Sequence, residues 1–379
     1  MDVTKKIVIA CDSFKGCLDT FEVAEAVECG ILEQDDSFEI VKLALADGGE
    51  GTAEVITKLF NGQKKQVESI DSLGRKCPGW YGQIYIDDVK TAVVDVATVN
   101  GLPLIPPESR NPLISNTIGT GIVIKSAIEE GIKHFIIGLG GSATIDGGIG
   151  ILYGLGYRFT DKSGRELEPT PVNLTSIKKI LPPRDYKYND CKFTLLSDVE
   201  TPMAGESGCA FVYGPQKGAG TEDVELLNKG LENLIRVIQK DYNVDLNNCK
   251  GSGAAGGIAG TLHAVLNAEI LSGSREILHL IKFKDKIQDA SLIITGEGRI
   301  DTTTFEGKAP YIVMQEASRY GFPTIAICGS VGSYELIEKS GFEAVFPVTP
   351  DSVPLKEAMK PDMAKEFIKK TVSEIVRLY

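Results

Sequence analysis

The sequence predicts an α/β protein in which a Rossmann-like, doubly wound parallel sheet is interrupted by a second, mixed α/β domain. Short apolar strands alternate with amphipathic helices at the start of the chain, and the same alternation returns near its end. A block richer in strands separates the two stretches. Alternating strands and helices are typical of a parallel sheet covered on both faces. The length of 379 residues agrees with two domains, since one core seldom grows beyond about 250–300 residues.

The first strand–helix units occupy about the first sixty residues of the chain. Asp19 and Glu22 have the spacing of a capping box, which predicts a helix that begins at Thr20. Apolar residues at helical spacing continue on one face of this segment and of the next. The predicted strands are 6–10 and 38–45, and the predicted helices are 20–33 and 51–60.

In the middle of the chain, consecutive strands replace the alternation of strands and helices, which returns near the end. Three strands separated by short turns predict an antiparallel meander at 63–70, 79–86 and 90–96. The other predicted elements of this block are helices 118–130 and 222–242 and strands 135–137 and 192–198. The final strands, each followed by a helix-compatible stretch, are 292–295, 324–328 and 344–348.

Neither terminal stretch supplies enough strands for a sheet of about five or six. We therefore predict one discontinuous Rossmann-like domain, residues 1–62 and 290–379, with residues 63–289 as the inserted domain. Two sequential domains are the simpler alternative.

The amino-acid composition indicates which classes of binding partner are favoured. The chain has 40 basic and 52 acidic side chains and a net charge of −12, which disfavours nucleic acid and anionic membranes. No segment approaches the roughly 20 apolar residues that span a bilayer. Eight cysteines show neither C-x-x-C pairs nor zinc spacing. We expect reduced thiols, a cytoplasmic location and small-molecule partners; a homodimer is left open.

Glycine-rich clusters fall at the ends of predicted strands, where open α/β sheets bind ligands. The cluster after the first strand contains Lys15, which suits a phosphate or carboxylate. The cluster after the second contains Asp47 and Glu50, which suit a divalent cation or a hydroxyl group. The alternative for both clusters is an ordinary turn with acids at a helix start.

The richest cluster, Gly138–Gly148, permits two interpretations. Gly138, Gly140 and Ala143 match the dinucleotide pattern G-x-G-x-x-A, with Asp161 at the distance of a ribose-binding acid. However, Asp146 would then face the pyrophosphate. We favour a nucleoside-triphosphate cradle with a metal-linked Asp146. Its candidate nucleotide-binding residues are Gly140, Gly141, Ser142 and Thr144.

Three further positions lie in the second half of the inserted block. Asp198 closes an apolar strand, where partial burial favours proton-accepting or metal-binding chemistry; a strand-end turn is the simpler interpretation. Lys217, bracketed by glycines, is a candidate phosphate-facing cation. Gly256, in a glycine-rich run, either packs a helix closely or brings backbone amides to a phosphate.

The last cluster carries Glu297, Arg299 and Asp301 on one loop beyond a strand, followed by Gly307 and Lys308. This polar set has little structural purpose. The Gly-Lys pair does not complete a P-loop, and no histidine is placed for a hydrolase triad. Cations, glycine turns and carboxylates are the groups that phosphoryl transfer requires.

In this order, the motifs resemble the type I glycerate kinase family over almost the whole chain. The matching segments are Asp12–Gly16, Ala46–Thr52, Gly138–Gly148, Gly214–Gly218, Gly253–Gly257, Gly296–Asp301 and Gly307–Pro310. The resemblance implies ATP-dependent phosphorylation of D-glycerate with Mg²⁺, leaning towards 2-phosphoglycerate, and a domain inserted in a Rossmann-like one. Cys11 and Ile145 depart from the family's usual Pro and Asn, and the second change removes a polar group from a ligand loop.

For a kinase, the residues take three predicted roles. The predicted catalytic residues are Lys15, Asp47, Asp198, Arg299 and Asp301. The predicted cofactor-binding residues are Gly140, Gly141, Ser142, Thr144, Lys217 and Gly256, and the predicted metal ligands are Asp47, Asp198 and Glu297. Two alternatives remain: an NAD-dependent dehydrogenase that uses the turn at 138–143, and a non-catalytic sensor of a carboxylated metabolite.

Overall fold

The computed structural model describes residues 5–184, 188, 190–332, 337, 338 and 340–378. The strands are β1 Lys6–Cys11, β2 Glu39–Lys42, β3 Gln63–Ile70, β4 Lys76–Ile86, β5 Val89–Asp95, β6 His134–Gly138, β7 Arg158–Thr160, β8 Glu166–Leu167, β9 Lys179–Leu181, β10 Lys192–Leu196, β11 Glu269–Leu271, β12 Ala290–Ile300, β13 Thr324–Val331 and β14 Ala344–Pro347.

The α-helices are α1 Thr20–Leu32, α2 Thr52–Leu59, α3 Ala97–Asn100, α4 Ile118–Glu129, α5 Ile149–Gly154, α6 Cys209–Tyr213, α7 Thr221–Tyr242, α8 Ala254–Leu266, α9 Gly273–Leu280, α10 Phe283–Lys286, α11 Ala309–Ser318, α12 Leu355–Ala358 and α13 Pro361–Val376. Short 3₁₀ helices lie at Leu102–Leu104, Pro107–Ser109, Pro171–Ser176, Pro215–Lys217 and Thr304–Glu306. The helix-compatible stretch expected after β13 falls partly outside the described residues. Within the described ranges, no helix has the length and apolar composition that crossing a membrane requires.

The chain forms two compact units, of which the first joins both ends of the sequence: Met1–Asp47 with Ser274–Tyr379. Its sheet has five parallel strands in the order β14-β13-β12-β1-β2. Ile7 and Ile9 of β1 pack in one core with α1 and α13. Helix α11 contacts β1, β12 and β13, and its own buried residues lie outside that core. The doubly wound parallel sheet is therefore confirmed, and its order reverses between β1 and β12.

The second unit, Gly48–Gly273, is the mixed α/β insertion. Its main sheet has the order β11-β10-β6-β5-β4-β3, in which β5, β6, β10 and β11 are parallel. Strands β3, β4 and β5 pair antiparallel, so the predicted meander is confirmed. Strands β7, β8 and β9 form a separate antiparallel sheet. Phe135 and Phe193 stack at 5.0 Å in the core, which α7 and α8 help to cover.

The boundaries between the compact units differ from the junctions that the sequence predicts. We predicted junctions after residues 62 and 289, whereas the units divide after Asp47 and Gly273. Helix α2 belongs to the second unit because it contacts β4 and β5. The Asp95 carboxylate at the end of β5 accepts hydrogen bonds from the Gly51 and Ala53 N–H groups at its start.

Helix α9 explains the shift of the second boundary. The Arg275 guanidinium on α9 pairs with the Glu316 carboxylate of α11 at 3.0 Å, and it also donates to the Gln315 side chain. Leu278 and Phe283 form one wall of a cleft with Tyr320 in the same unit. The helices before β12 therefore pack in the first unit.

Candidate active site

In the first unit, polar side chains gather where the sheet order reverses. The Asp12 N–H, directly after β1, donates to the Gly296 carbonyl at 2.8 Å. Strand β12 continues beyond this point, so Glu297 follows the last residue that pairs with β1. The Lys15 ammonium contacts the Asp47 carboxylate at 2.5 Å. Three predicted site residues thus lie at the carboxyl edge that binds ligands in such sheets.

Asp12 is buried at this edge. Its Oδ1 accepts a hydrogen bond from the Ser13 N–H at 2.7 Å. Burial, together with the nearby Asp47 carboxylate, raises the pKa of Asp12 to about 8, although the Lys15 ammonium opposes the shift. Asp12 begins one of the motifs in the sequence, but it was not among the predicted site residues. Its position directly after an apolar strand, the signal used for Asp198, would have identified it.

The Asp12 environment predicts a pH-dependent penalty on folding. Between about pH 4 and pH 8 the native carboxyl keeps a proton that the unfolded chain has released, so stability falls as pH rises. Asp12→Asn lacks this penalty. As the pH rises from 5 to 8, we expect the free energy of unfolding of the variant to increase relative to that of wild type by roughly 1–3 kcal/mol. Urea unfolding at several pH values tests this, and parallel curves for the two proteins would contradict it.

The same surroundings stabilise the charged form of the Lys15 side chain. Partial desolvation lowers its pKa, but the carboxylates of Asp47 and Asp12 outweigh that effect and raise it above its ordinary value. Lys15 therefore carries a positive charge at neutral pH, and its side chain is 64% exposed. A cation held beside acids and open to solvent suits an anionic ligand.

Glu297 has a partner on each oxygen. Its Oε1 accepts the Thr304 hydroxyl at 2.6 Å, and its Oε2 lies 3.4 Å from the Lys308 ammonium. Burial raises the pKa of Glu297, while Lys308 and Thr304 lower it in part. Lys308, at the N-cap of α11, is a second cation beside this edge to which the sequence assigned no role.

Arg299 and Asp301 pair with each other at 3.2 Å on the next part of the loop. Partial burial raises the pKa of Asp301, but hydrogen bonds from the Thr303 N–H and hydroxyl outweigh it, so the pKa lies below its ordinary value. The Asp301 carboxylate is thus ionised and engaged within its own turn. The Arg299 side chain is largely exposed, which leaves its guanidinium accessible to an anion.

In the second unit, three loops meet at the carboxyl edge of β6 and β10. The Gly140 N–H donates to the Gly48 carbonyl at 3.1 Å, and the Leu139 N–H donates to the Leu196 carbonyl at 3.2 Å. Gly48 has a φ of +80°, and a Cβ at this position would lie 2.8 Å from the Leu196 carbonyl oxygen. The glycine is required there by both conformation and space.

Lys217 joins the predicted nucleotide loop. Its ammonium donates to the Ser142 hydroxyl at 2.9 Å and to the Thr144 carbonyl at 2.8 Å. Burial lowers the pKa of Lys217 to about 8. The Thr144 hydroxyl is also buried and lacks a hydrogen-bond partner in the described part of the chain. Three predicted residues are thus brought together, with the lysine buried beneath the loop.

Asp146 has a different role from the metal-linked one that the sequence suggested. Its buried carboxylate accepts hydrogen bonds from the Thr117 N–H and hydroxyl and from the Gly148 and Gly150 N–H groups. Four donors occupy the carboxylate, so it organises the turn that starts α5 and is not available to a metal ion. Thr117 could not be identified from local sequence patterns, because its contact with Asp146 spans 29 positions.

The dinucleotide interpretation fails on local geometry. A dinucleotide-binding turn opens its helix within the G-x-G-x-x-A pattern. Here that pattern ends at Ala143, whereas α5 begins only at Ile149. Asp161 lies in the turn between β7 and β8, in the separate antiparallel sheet, where it accepts the Ser163 and Arg165 N–H groups. It is not positioned as a ribose-binding acid.

Gly256 packs against the same loop. It has a φ of +73°, and a Cβ there would lie 2.1 Å from the Thr144 carbonyl oxygen. The Gly147 N–H donates to the Gly256 carbonyl at 3.0 Å. Of the two roles considered for this glycine, the structure supports close packing. Ile145 is fully buried in the core of the unit, so this departure from the family pattern alters packing.

Asp198 lies just beyond β10, where the Ser272 hydroxyl donates to its Oδ1 at 2.7 Å. Of the predicted metal ligands, Asp198 belongs to the second unit, whereas Asp47 and Glu297 belong to the first. The described residues contain no group of three or more His, Cys, Asp or Glu side chains suited to a metal ion. Within the first unit, the two carboxylates of Asp47 and Glu297 are of the kind that Mg²⁺ takes, one or two at a time, together with substrate phosphates.

Comparisons with known proteins agree on one family. The model of the glycerate kinase family matches residues 7–379. The glycerate kinase of Bacillus subtilis is 37% identical over 98% of this chain and 96% of its own, and the glycerate 2-kinase of Escherichia coli is 37% identical over 94% and 93%. A crystal structure from Salmonella typhimurium, assigned as glycerate kinase 2, superimposes with a TM-score of 0.86 at 36% identity and covers 99% of this chain and 98% of that one.

Proposed function

The chain belongs to the glycerate kinase family, enzymes that transfer a phosphoryl group to an alcohol, and on that premise we propose that it phosphorylates D-glycerate with ATP and Mg²⁺. The observation that carries the proposal is the cluster of Asp12, Lys15, Asp47 and Glu297 at the point where the first sheet reverses its strand order. We favour 2-phosphoglycerate as product because a relative of nearly equal length is named a glycerate 2-kinase.

The first unit supplies groups for both ends of the acceptor. Glycerate is an anion, and the exposed cations Lys15 and Arg299 would hold its carboxylate. Phosphoryl transfer also needs an acid beside the attacking hydroxyl. We propose Asp47 and Asp301 of this unit as candidates for that role, and Asp198 of the second unit as the third candidate. Transfer proceeds mainly by positioning and by charge stabilisation, which such mixed clusters provide.

The second unit supplies the proposed nucleotide loop. Gly140, Gly141, Ser142 and Thr144 form a turn that is held from beneath by Lys217. Two of the three N–H groups of the lysine are used in this way, and the buried Thr144 hydroxyl offers a further polar group. We propose that Lys217 maintains the loop for nucleotide binding and that Gly256 shapes it by packing.

Magnesium would be held by one or two carboxylates of the predicted set, with nucleotide phosphates completing the coordination. The candidates are Asp47 and Glu297 in the first unit and Asp198 in the second. When bound, it neutralises charge on the phosphates.

Free thiols at all eight cysteines agree with the proposed cytoplasmic location, since that compartment keeps thiols reduced. A homodimer stays a prediction.

The test is ADP release from Mg-ATP in the presence and absence of D-glycerate. We expect strong glycerate-dependent release, at least tenfold over the ATPase background, with a turnover in the ordinary range of about 1–100 s⁻¹ for kinases. The product is identified with enolase alone, which accepts 2-phosphoglycerate but not 3-phosphoglycerate. A folded protein without glycerate-dependent release would contradict the proposed function, and product that enolase does not accept would contradict the 2-phosphate.

A further inference from the structure

Thr304 connects two functional segments of the first unit. It is fully buried at the start of the 3₁₀ helix Thr304–Glu306. Its hydroxyl accepts the Asp301 N–H at 3.1 Å and donates to Oε1 of Glu297 at 2.6 Å. A hydroxyl group can do both at once. The position of the Glu297 carboxylate is therefore tied to the backbone of the loop that carries Asp301.

The Glu297 carboxylate requires a hydrogen bond of this kind. It is buried, so each oxygen requires a donor in place of water. Lys308 faces Oε2 at 3.4 Å, and Thr304 serves Oε1. Without the hydroxyl, Oε1 would lose its short hydrogen bond, and the carboxylate would be free to turn towards the Lys308 ammonium. Its charge would then be engaged by the lysine and withdrawn from the site.

We propose that Thr304 is a positioning residue for phosphoryl transfer, which acts by holding the Glu297 carboxylate in the orientation that binds Mg²⁺. This role rests on the proposed function, in which Glu297 is a metal ligand. Groups that orient a ligating carboxylate typically contribute 10–100-fold to metal affinity or activity. Thr304 makes no direct contribution to the chemistry in this scheme.

The test compares Thr304→Val with Thr304→Ser. Valine keeps the shape and removes the hydroxyl, whereas serine keeps the hydroxyl. We expect Thr304→Val to raise the dissociation constant of Mg²⁺, measured by titration calorimetry with the metal alone, about 10–100-fold. The Mg²⁺ concentration for half-maximal activity should rise with it, while the KM for glycerate changes less than threefold. Thr304→Ser should stay within threefold of wild type. Thr302→Val, the same substitution at an exposed neighbour, controls for loop disturbance and should leave activity unchanged.

A double variant asks whether the effect passes through Glu297. If it does, Glu297→Gln with Thr304→Val has the same kcat/KM as Glu297→Gln alone, because the hydroxyl no longer has a metal ligand to orient. Multiplying losses would overturn the proposal. Thr304→Ala, which adds no methyl group, replaces the valine variant if that protein does not fold.

The remaining outcomes separate this role from the proposed function. An active wild type with an unchanged Mg²⁺ requirement in Thr304→Val would overturn the role of Thr304 and leave the function standing. Equal impairment of the serine and valine variants would also overturn it. A folded wild type without glycerate-dependent turnover would remove the function and this role together.

Discussion

Asp198→Asn is expected to lower kcat by about 10²–10⁴-fold, the range for loss of a proton-accepting group. The side chain stands at the carboxyl end of β10, and its Oδ1 accepts the Ser272 hydroxyl. Asparagine keeps the volume and an oxygen that can accept this bond, but it removes the negative charge that a hydroxyl proton or Mg²⁺ needs. We therefore expect the free energy of unfolding to change by less than about 1 kcal/mol.

The measurement is steady-state turnover in the ADP-release assay, with urea unfolding of the same samples. Asp161→Asn is the matched control, because it makes the same chemical change in the same unit, in the turn between β7 and β8 of the separate antiparallel sheet. Its kcat should equal that of wild type. Turnover near the wild-type value in a folded Asp198→Asn protein would remove Asp198 from the catalytic set.

Gly256→Ala is expected to destabilise the protein by roughly 2–5 kcal/mol. A left-handed φ costs an L-residue about 1–2 kcal/mol, and forcing an atom into a packed interior typically costs a further 1–3 kcal/mol. The added Cβ would lie 2.1 Å from the Thr144 carbonyl oxygen, which is backbone and already accepts from Lys217. The loop has little room to yield.

Urea or thermal unfolding of the variant checks this value. Gly164→Ala separates the two causes, because Gly164 has a φ of +83° and a Cβ there would meet no atom within 4 Å. The control should lose only the conformational part, about 1–2 kcal/mol. Equal losses in the two variants would show that the contact with Thr144 does not matter.

Much of the architecture was accessible from local patterns. The buried run of β1 and the capping box of Asp19 with Glu22 are properties of adjacent residues, and both occur as predicted. The rule that ligand loops follow parallel strands correctly grouped Lys15 with Asp47. The fold class followed from the alternation of strands and helices, and the family resemblance followed from the order of such loops.

Contacts between distant segments were beyond the reach of these patterns. The Asp146 carboxylate meets Thr117 across 29 positions, so a residue that resembles a metal ligand proves to be a structural acceptor. Gly256 meets Thr144 in the same way. The capping of α2 by Asp95 spans 42 positions, and no local signal announces that this helix belongs to the insertion. Such pairings depend on tertiary packing.

The discontinuity of the first sheet has a consequence for biosynthesis. Ala10 of β1 accepts a hydrogen bond from Thr295 of β12, its central neighbour, and the two residues lie 285 positions apart. At synthesis rates of about 5–20 residues per second, β1 waits roughly 15–60 s for this partner to leave the ribosome. The insertion is continuous in sequence, so its core is complete in the nascent chain while β1 has only β2 of its two neighbours. For most of synthesis the emerging chain therefore carries an apolar strand with one open, aggregation-prone edge, a segment for chaperones to protect.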